Sequence, residues 1–330
     1  GPRLADAALG AIGLGLTTLL LGRLLGFLAG GETPSGGLWL LPWLVLLGLA
    51  LFDPGRFRRL RRLLPVEAVK LLSRPLFLTG LGGAVAIALL AALTYELIPG
   101  ATGWARAVHA LGAGQWAAEV FLLVLGATAI AGEASTGTLK MMLPHAYRRS
   151  DWILAKACVL LFAALVLTVL VTGVSVAYAA ATDGLGPVMQ EPLYEGAEAP
   201  PDVFATATVM REHLGEAILA SLGAAMVTAL LGLFLSTLFE GVVGALSVAF
   251  LFFAGLRFAD VLLGLPTETL QAIYTWHPQE LRTITSKLAR GFSERWDRAI
   301  LPAGLALALV TGAAMVLLAV RTFARRDLHN

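Results

Sequence analysis

Apolar residues along this chain come in long runs separated by short polar stretches, and within the runs they do not alternate with period two. That texture predicts spanning helices rather than barrel strands. Eight runs stand out, at about 7–29, 37–52, 76–95, 115–132, 153–181, 214–239, 242–264 and 299–320. A helix needs roughly 20 residues to cross a hydrocarbon core. The second run is therefore marginal, and the fifth is long enough to tilt or project beyond the bilayer. Only Glu240-Gly241 interrupts the sixth and seventh runs, which predicts an antiparallel hairpin.

The polar stretches differ in kind. Between the second and third runs, Leu60, Leu63, Leu64, Ala68, Leu71 and Leu72 recur at helical spacing against Arg61, Arg62, Glu67 and Lys70. This pattern predicts an amphipathic helix lying in the membrane interface, closed by Pro75. Asp183–Glu212 is rich in proline and acids and reads as mostly loop. Pro266–Arg298 holds two amphipathic stretches around His277-Pro278, expected as short helices on the outer surface.

Composition then fixes the class. Hydrophobic residues make up 58% of the 330, charged residues 14%, and the mean hydropathy is +0.80, far beyond what a soluble domain carries. A net charge of +2 says little, but its distribution orients the chain. Fourteen Arg and Lys lie in one set of connections (Arg3; Arg56 to Arg74; Lys140, Arg148 and Arg149; Arg321, Arg325 and Arg326) and seven in the other. The positive-inside rule puts both termini in the cytoplasm. Six of seven tryptophans (Trp39, Trp43, Trp104, Trp116, Trp276 and Trp296) fall near the opposite interface, and only Trp152 near the basic one.

Candidate chemistry is sparse. Cys158 is the single cysteine, which excludes disulfides within the chain and thiolate metal clusters. No soluble basic domain exists to bind nucleic acid. None of the four lysines follows a glycine, so no phosphate-cradling P-loop is present and the chain is not itself an ATPase. Arg23, Glu119, Lys156, Glu216, Arg257 and Asp260 are each placed towards the end of a predicted span, where snorkelling is the default reading. No midplane proton relay is expected. Arg257 and Asp260, three apart, form a candidate pair near the outer mouth, structural or a gate.

The most informative stretch follows the fourth run on the basic side: Gly132-Glu133-Ala134-Ser135-Thr136-Gly137-Thr138-Leu139, then Pro144, then Arg149 and, seven residues on, Lys156. Glycines permit a tight exit from the membrane, and Ser135, Thr136 and Thr138 can cap a short helix beyond it, with Glu133 complementing that helix's N-terminus. In order and placement the stretch resembles the first long cytoplasmic connection of the type-2 ABC exporter permeases. Ala146 stands where that family commonly has proline. The ending Phe323-x-Arg325-Arg326-Asp327-Leu328 is similar to theirs as well.

The resemblance implies an all-α polytopic membrane protein: two extra N-terminal spans over 1–52, then an interfacial elbow helix and a six-span core over 53–330. It implies a permease that moves a substrate outward across a bacterial inner membrane, working as a dimer with a second permease copy, in contact with membrane lipid. A separate cytoplasmic ATPase would bind ATP and Mg, with Glu133, Gly137, Thr138, Leu139 and Arg149 forming the coupling element. Apolar spans lean towards a hydrophobic or amphipathic cargo. The alternative reading is an ABC-type subunit that acts mechanically on an outer partner, or a scaffold, without transporting anything. An intramembrane protease is disfavoured, because its paired acids and histidines are missing from the spans.

Overall fold

The computed structural model describes residues 54–96, 102–138, 148–190, 202–264, 266–292 and 299–325. The first two predicted spans, Leu139 and most of the segment after it lie outside those residues. Ten helices and one small hairpin are described in chain order. They are α1 (Pro54–Leu72), α2 (Pro75–Thr94), α3 (Gly103–Ser135), α4 (Arg149–Thr182), β1 (Val188–Gln190), β2 (Asp202–Ala205), α5 (Ala207–Leu238), α6 (Val242–Arg257), α7 (Ala259–Leu263), α8 (Thr267–Leu270), α9 (Trp276–Ala289) and α10 (Ile300–Arg325).

Five of these, α2, α3, α4, α5 and α10, are long and apolar enough to cross a membrane. The chain is a membrane-embedded, predominantly helical protein. Burial sorts the five into two groups. In their most apolar windows α3, α4 and α5 are 67%, 61% and 72% buried, whereas α2 and α10 are 28% and 17% buried and turn Leu90, Leu93, Val310 and Leu317 outward. A hydrocarbon solvent accepts those exposed side chains without penalty. The three central helices pack through small residues. A side chain at Gly126 would strike the carbonyl oxygen of Ala229, and one at Gly232 would lie 2.5 Å from the carbonyl oxygen of Leu123. Only glycine allows α3 and α5 to approach this closely, as expected where packing and not hydrophobic exclusion drives association.

Several elements differ from the sequence expectation. α3 begins twelve residues before the predicted start at 115, because the glycines of 103–114 serve packing and not turns: a Cβ at Gly114 would meet Ala88 Cβ at 2.6 Å and Val171 Cγ1 at 2.7 Å. Arg106 in that added stretch is neutralised by Asp183, Nε to Oδ2 2.8 Å, an ion pair without hydrogen-bond alignment. α5 also starts early, at Ala207, where Thr206 Oγ1 accepts from the Val209 amide as an N-cap. The segment expected as mostly loop contains the antiparallel hairpin β1–β2, with Val188 opposite Ala205.

The seventh span is not one helix of 23 residues. α6 stops after 16, about 24 Å, at Phe258 (φ −111°, ψ 22°), and the five-residue α7 follows. The amphipathic helix expected on the outer surface, α9, is instead tucked between α3 and α5. Its Leu281, Ile284, Thr285 and Leu288 are buried, and His277 fits against Gly304 of α10 while its Nε2 donates to the Gln271 carbonyl, 2.9 Å away.

Candidate functional site

Glu133, Gly137, Thr138, Arg149 and Lys156, singled out in the sequence, lie at the basic end of the bundle, where α3 ends, α4 begins and α1 lies across both. α1 forms because apolar residues recur every three to four positions. Leu60 and Leu63 are buried against Trp152, Leu154 and Ala155 of α4. The helix runs through Pro65, which contributes no backbone N–H to it.

Glu133 occupies the last turn of α3. Its carboxylate points into the protein and is buried between helices. Its Oε1 accepts from Lys156 Nζ of α4 at 2.8 Å and from Lys70 Nζ of α1 at 3.3 Å. Both lysines also reach Glu67 of α1: Lys156 Nζ donates to Oε2 and Lys70 Nζ to Oε1, each at 2.8 Å. Two carboxylates and two ammonium groups thus close a ring that joins three helices with no net charge. Lys156 does not snorkel; it is buried at the centre of the ring.

Burial by itself would raise the Glu67 carboxyl. The charge of Lys156 and its hydrogen bond, then those of Lys70, more than offset this and hold Glu67 below its ordinary carboxylate value. The ammonium of Lys70 also stands over the Trp152 ring, 5.1 Å from its centroid. A second ion pair extends the clamp, Arg59 Nε to Asp151 Oδ2 at 2.6 Å, with Asp151 fully buried.

The turn beyond Glu133 closes on α3 itself. Ser135 Oγ donates to the Gly132 carbonyl and Thr136 Oγ1 to those of Gly132 and Glu133, so these hydroxyls serve the end of α3. Gly137 follows with φ +72°, the left-handed residue that ends a helix, and its amide donates to the Ala134 carbonyl. Thr138 shares a hydrogen bond with Thr136. Deeper in, Ser236 Oγ of α5 accepts from the Ile130 and Ala131 amides, both at 2.8 Å, tying the last turns of α3 to α5. Arg149 opens α4, and its Nη1 donates to the Ala324 carbonyl near the end of α10.

Of the other candidate pair, the side chain of Arg257 alone is among the described residues. Arg257 is buried and faces Gln279, which accepts from its Nε and Nη1 at 3.1 and 3.2 Å with the amide oxygen turned inward. The side chain of Asp260 lies outside the described residues. Sequence reasoning missed Glu67 and Lys70 as members of a site, although their i,i+3 spacing was visible. It also misplaced Glu119, which stands seventeenth of the 33 residues of α3, with sixteen on either side, and is fully buried.

The architecture and this site define a membrane-embedded helical bundle with a charged clamp at one end. Residues 91–329 match the family described as Protein of unknown function (DUF2705), and the chain belongs to that family. No curated protein matches the chain.

Proposed function

We propose that this protein is the membrane-spanning permease subunit of a type-2 ABC exporter, driven by ATP that a separate cytoplasmic ATPase binds with Mg. The observation that carries the reading is the ring Glu67–Lys156–Glu133–Lys70. A push on the Gly137 turn reaches α3 directly, α4 through Lys156 and α1 through Glu67 and Lys70. The clamp lets a partner move three helices as one body, as a subunit without its own P-loop requires.

In this reading the basic end faces the cytoplasm of a bacterial cell, where the ATPase docks on the segment from Glu133 through Leu139 to Arg149. A second permease copy completes the path for a hydrophobic or amphipathic substrate. The test is isolation of the tagged chain from its own membranes, followed by ATP hydrolysis measurements. Wild type should carry an ATPase subunit. Gly137→Leu should remain monodisperse and lose the subunit or its stimulation. Equal retention and stimulation by the two proteins would remove the coupling role from this turn.

A further inference from the structure

Glu119 has no exposed surface, and neither of its carboxylate oxygens has a hydrogen-bond partner among the described residues. A buried carboxylate left this way demands a compensating group. Two guanidinium groups stand near it. Val242, which opens α6, lies against Gly132 of α3. Thirteen residues along α3 from that contact is Glu119, and fifteen along α6 is Arg257, rises of about 20 and 22 Å. The two therefore sit at one level. Arg282 arrives from α9: its Nη1 donates to Ser221 Oγ at 2.8 Å, and its Nε lies 3.9 Å from where a Cβ at Gly112 would be. Gly112 and Glu119 are seven apart, two turns along one face of α3.

Neither arginine makes an ion pair with Glu119 among the described residues. Between Gly112 and Glu119 on α3, Gln115 donates through Nε2 to Thr168 Oγ1 and the Ser221 carbonyl, and its own Oε1 has no partner among the described residues. Among the described side chains, two guanidiniums stand against one carboxyl group. Each guanidinium carries five N–H donors in a planar fork suited to an oxyanion. Beside Arg257, α7 exposes Val261, Leu262 and Leu263 at 78%, 65% and 67%, an apolar flank on which an acyl chain can lie while its head reaches the arginines.

We propose that Arg257 and Arg282 form a binding site for the phosphate or carboxylate head of an amphipathic molecule, and that Glu119 competes with that head for the two guanidiniums. The site stands on its own geometry; its use as a cargo site rests on the transport reading above. Binding is measured on the full chain without any ATPase, so loss of the site and loss of coupling fail separately.

The probe is dansyl-labelled phosphatidic acid in nanodiscs of phosphatidylcholine, read by energy transfer from the protein's tryptophans, with labelled phosphatidylcholine as reference and inorganic phosphate as competitor. Wild type should prefer phosphatidic acid. Arg257→Gln and Arg282→Gln should each weaken that preference about tenfold, whereas Glu119→Gln should strengthen it by a similar factor. Arg282→Lys keeps the charge but not the fork and should weaken binding about threefold, which preserves the test if the glutamine variant is polydisperse. Displacement by phosphate would assign the site to oxyanions in general, and retention against phosphate would assign it to the lipid. Unchanged binding in the arginine variants would overturn the proposal, as would loss of binding in Glu119→Gln, which marks a merely structural triad. Strengthening by Asp260→Asn in place of Glu119→Gln would overturn the role given to Glu119.

Discussion

Replacing Lys156 by methionine removes the ammonium at the centre of the ring while keeping most of the side chain's volume. Among the described side chains Glu67 and Glu133 then share only Lys70, whose side chain is 29% exposed and lies 3.3 Å from the Glu133 oxygen. Breaking a buried pair by deleting one partner costs about 3–5 kcal/mol. The remaining lysine and its access to water argue for the lower end, about 3 kcal/mol. The cost should fall on the docking of α1 against α3 and α4, because the spans themselves are held by apolar packing.

Hydrogen–deuterium exchange in nanodiscs reads this locally. Amides of 59–72 should exchange about a hundredfold faster, since each 1.4 kcal/mol is a factor of ten, while the centres of α3 and α5 stay protected. Adding Glu133→Gln restores one carboxylate to one lysine and should recover most of the protection. Exchange in α1 that matches wild type would refute the reasoning, as would a double variant no better than Lys156→Met.

Acid should weaken the same clamp. Because folding lowers the Glu67 pKa, the unfolded or undocked state binds the proton more readily, so the contribution is complete above the ordinary value of 4.5 and is lost as pH falls below it; exchange in α1 should accelerate in that range and not between pH 6 and 8. Gly126→Leu forces a side chain into the α5 backbone, its Cβ 2.8 Å from the Leu233 amide nitrogen, and should lower thermal stability in detergent by about 1–3 kcal/mol or prevent monodisperse purification. Single cysteines at Ser150 and Thr182, at opposite ends of α4, should label with impermeant maleimide from opposite sides of the membrane, and labelling of both from one side would contradict a spanning α4.

The spans were legible wherever an apolar run was unbroken: 76–95 and 299–320 differ from α2 and α10 by a few residues at their ends. Legibility failed where composition misled. Arg106, His109, Gly112 and Gly114 read as a loop, yet the glycines are packing contacts and Arg106 is paired across 77 residues with Asp183. That early start is what moves Glu119 from a helix end to a helix centre. α9 was recognisable as amphipathic, but nothing local said whether its buried face met lipid or protein; Arg282 on Ser221 decides it.

The clamp was half legible. Glu67 and Lys70 are neighbours on one helix, and the family resemblance picked out Glu133 and Lys156. Their meeting depends on partners 63 and 89 residues apart, a separation that periodicity cannot convey.

The claim that this chain passes force from an ATPase to its helices is tested most directly by a crosslink. Thr136 is exposed beside Gly137, and Thr182 is exposed at the far end of α4. With p-benzoylphenylalanine at either position, cells are irradiated and the adducts probed with a photoreactive ATP analogue. The account predicts a nucleotide-labelled adduct from position 136 and none from position 182. No nucleotide-binding adduct at 136, or equal adducts from both positions, would contradict it.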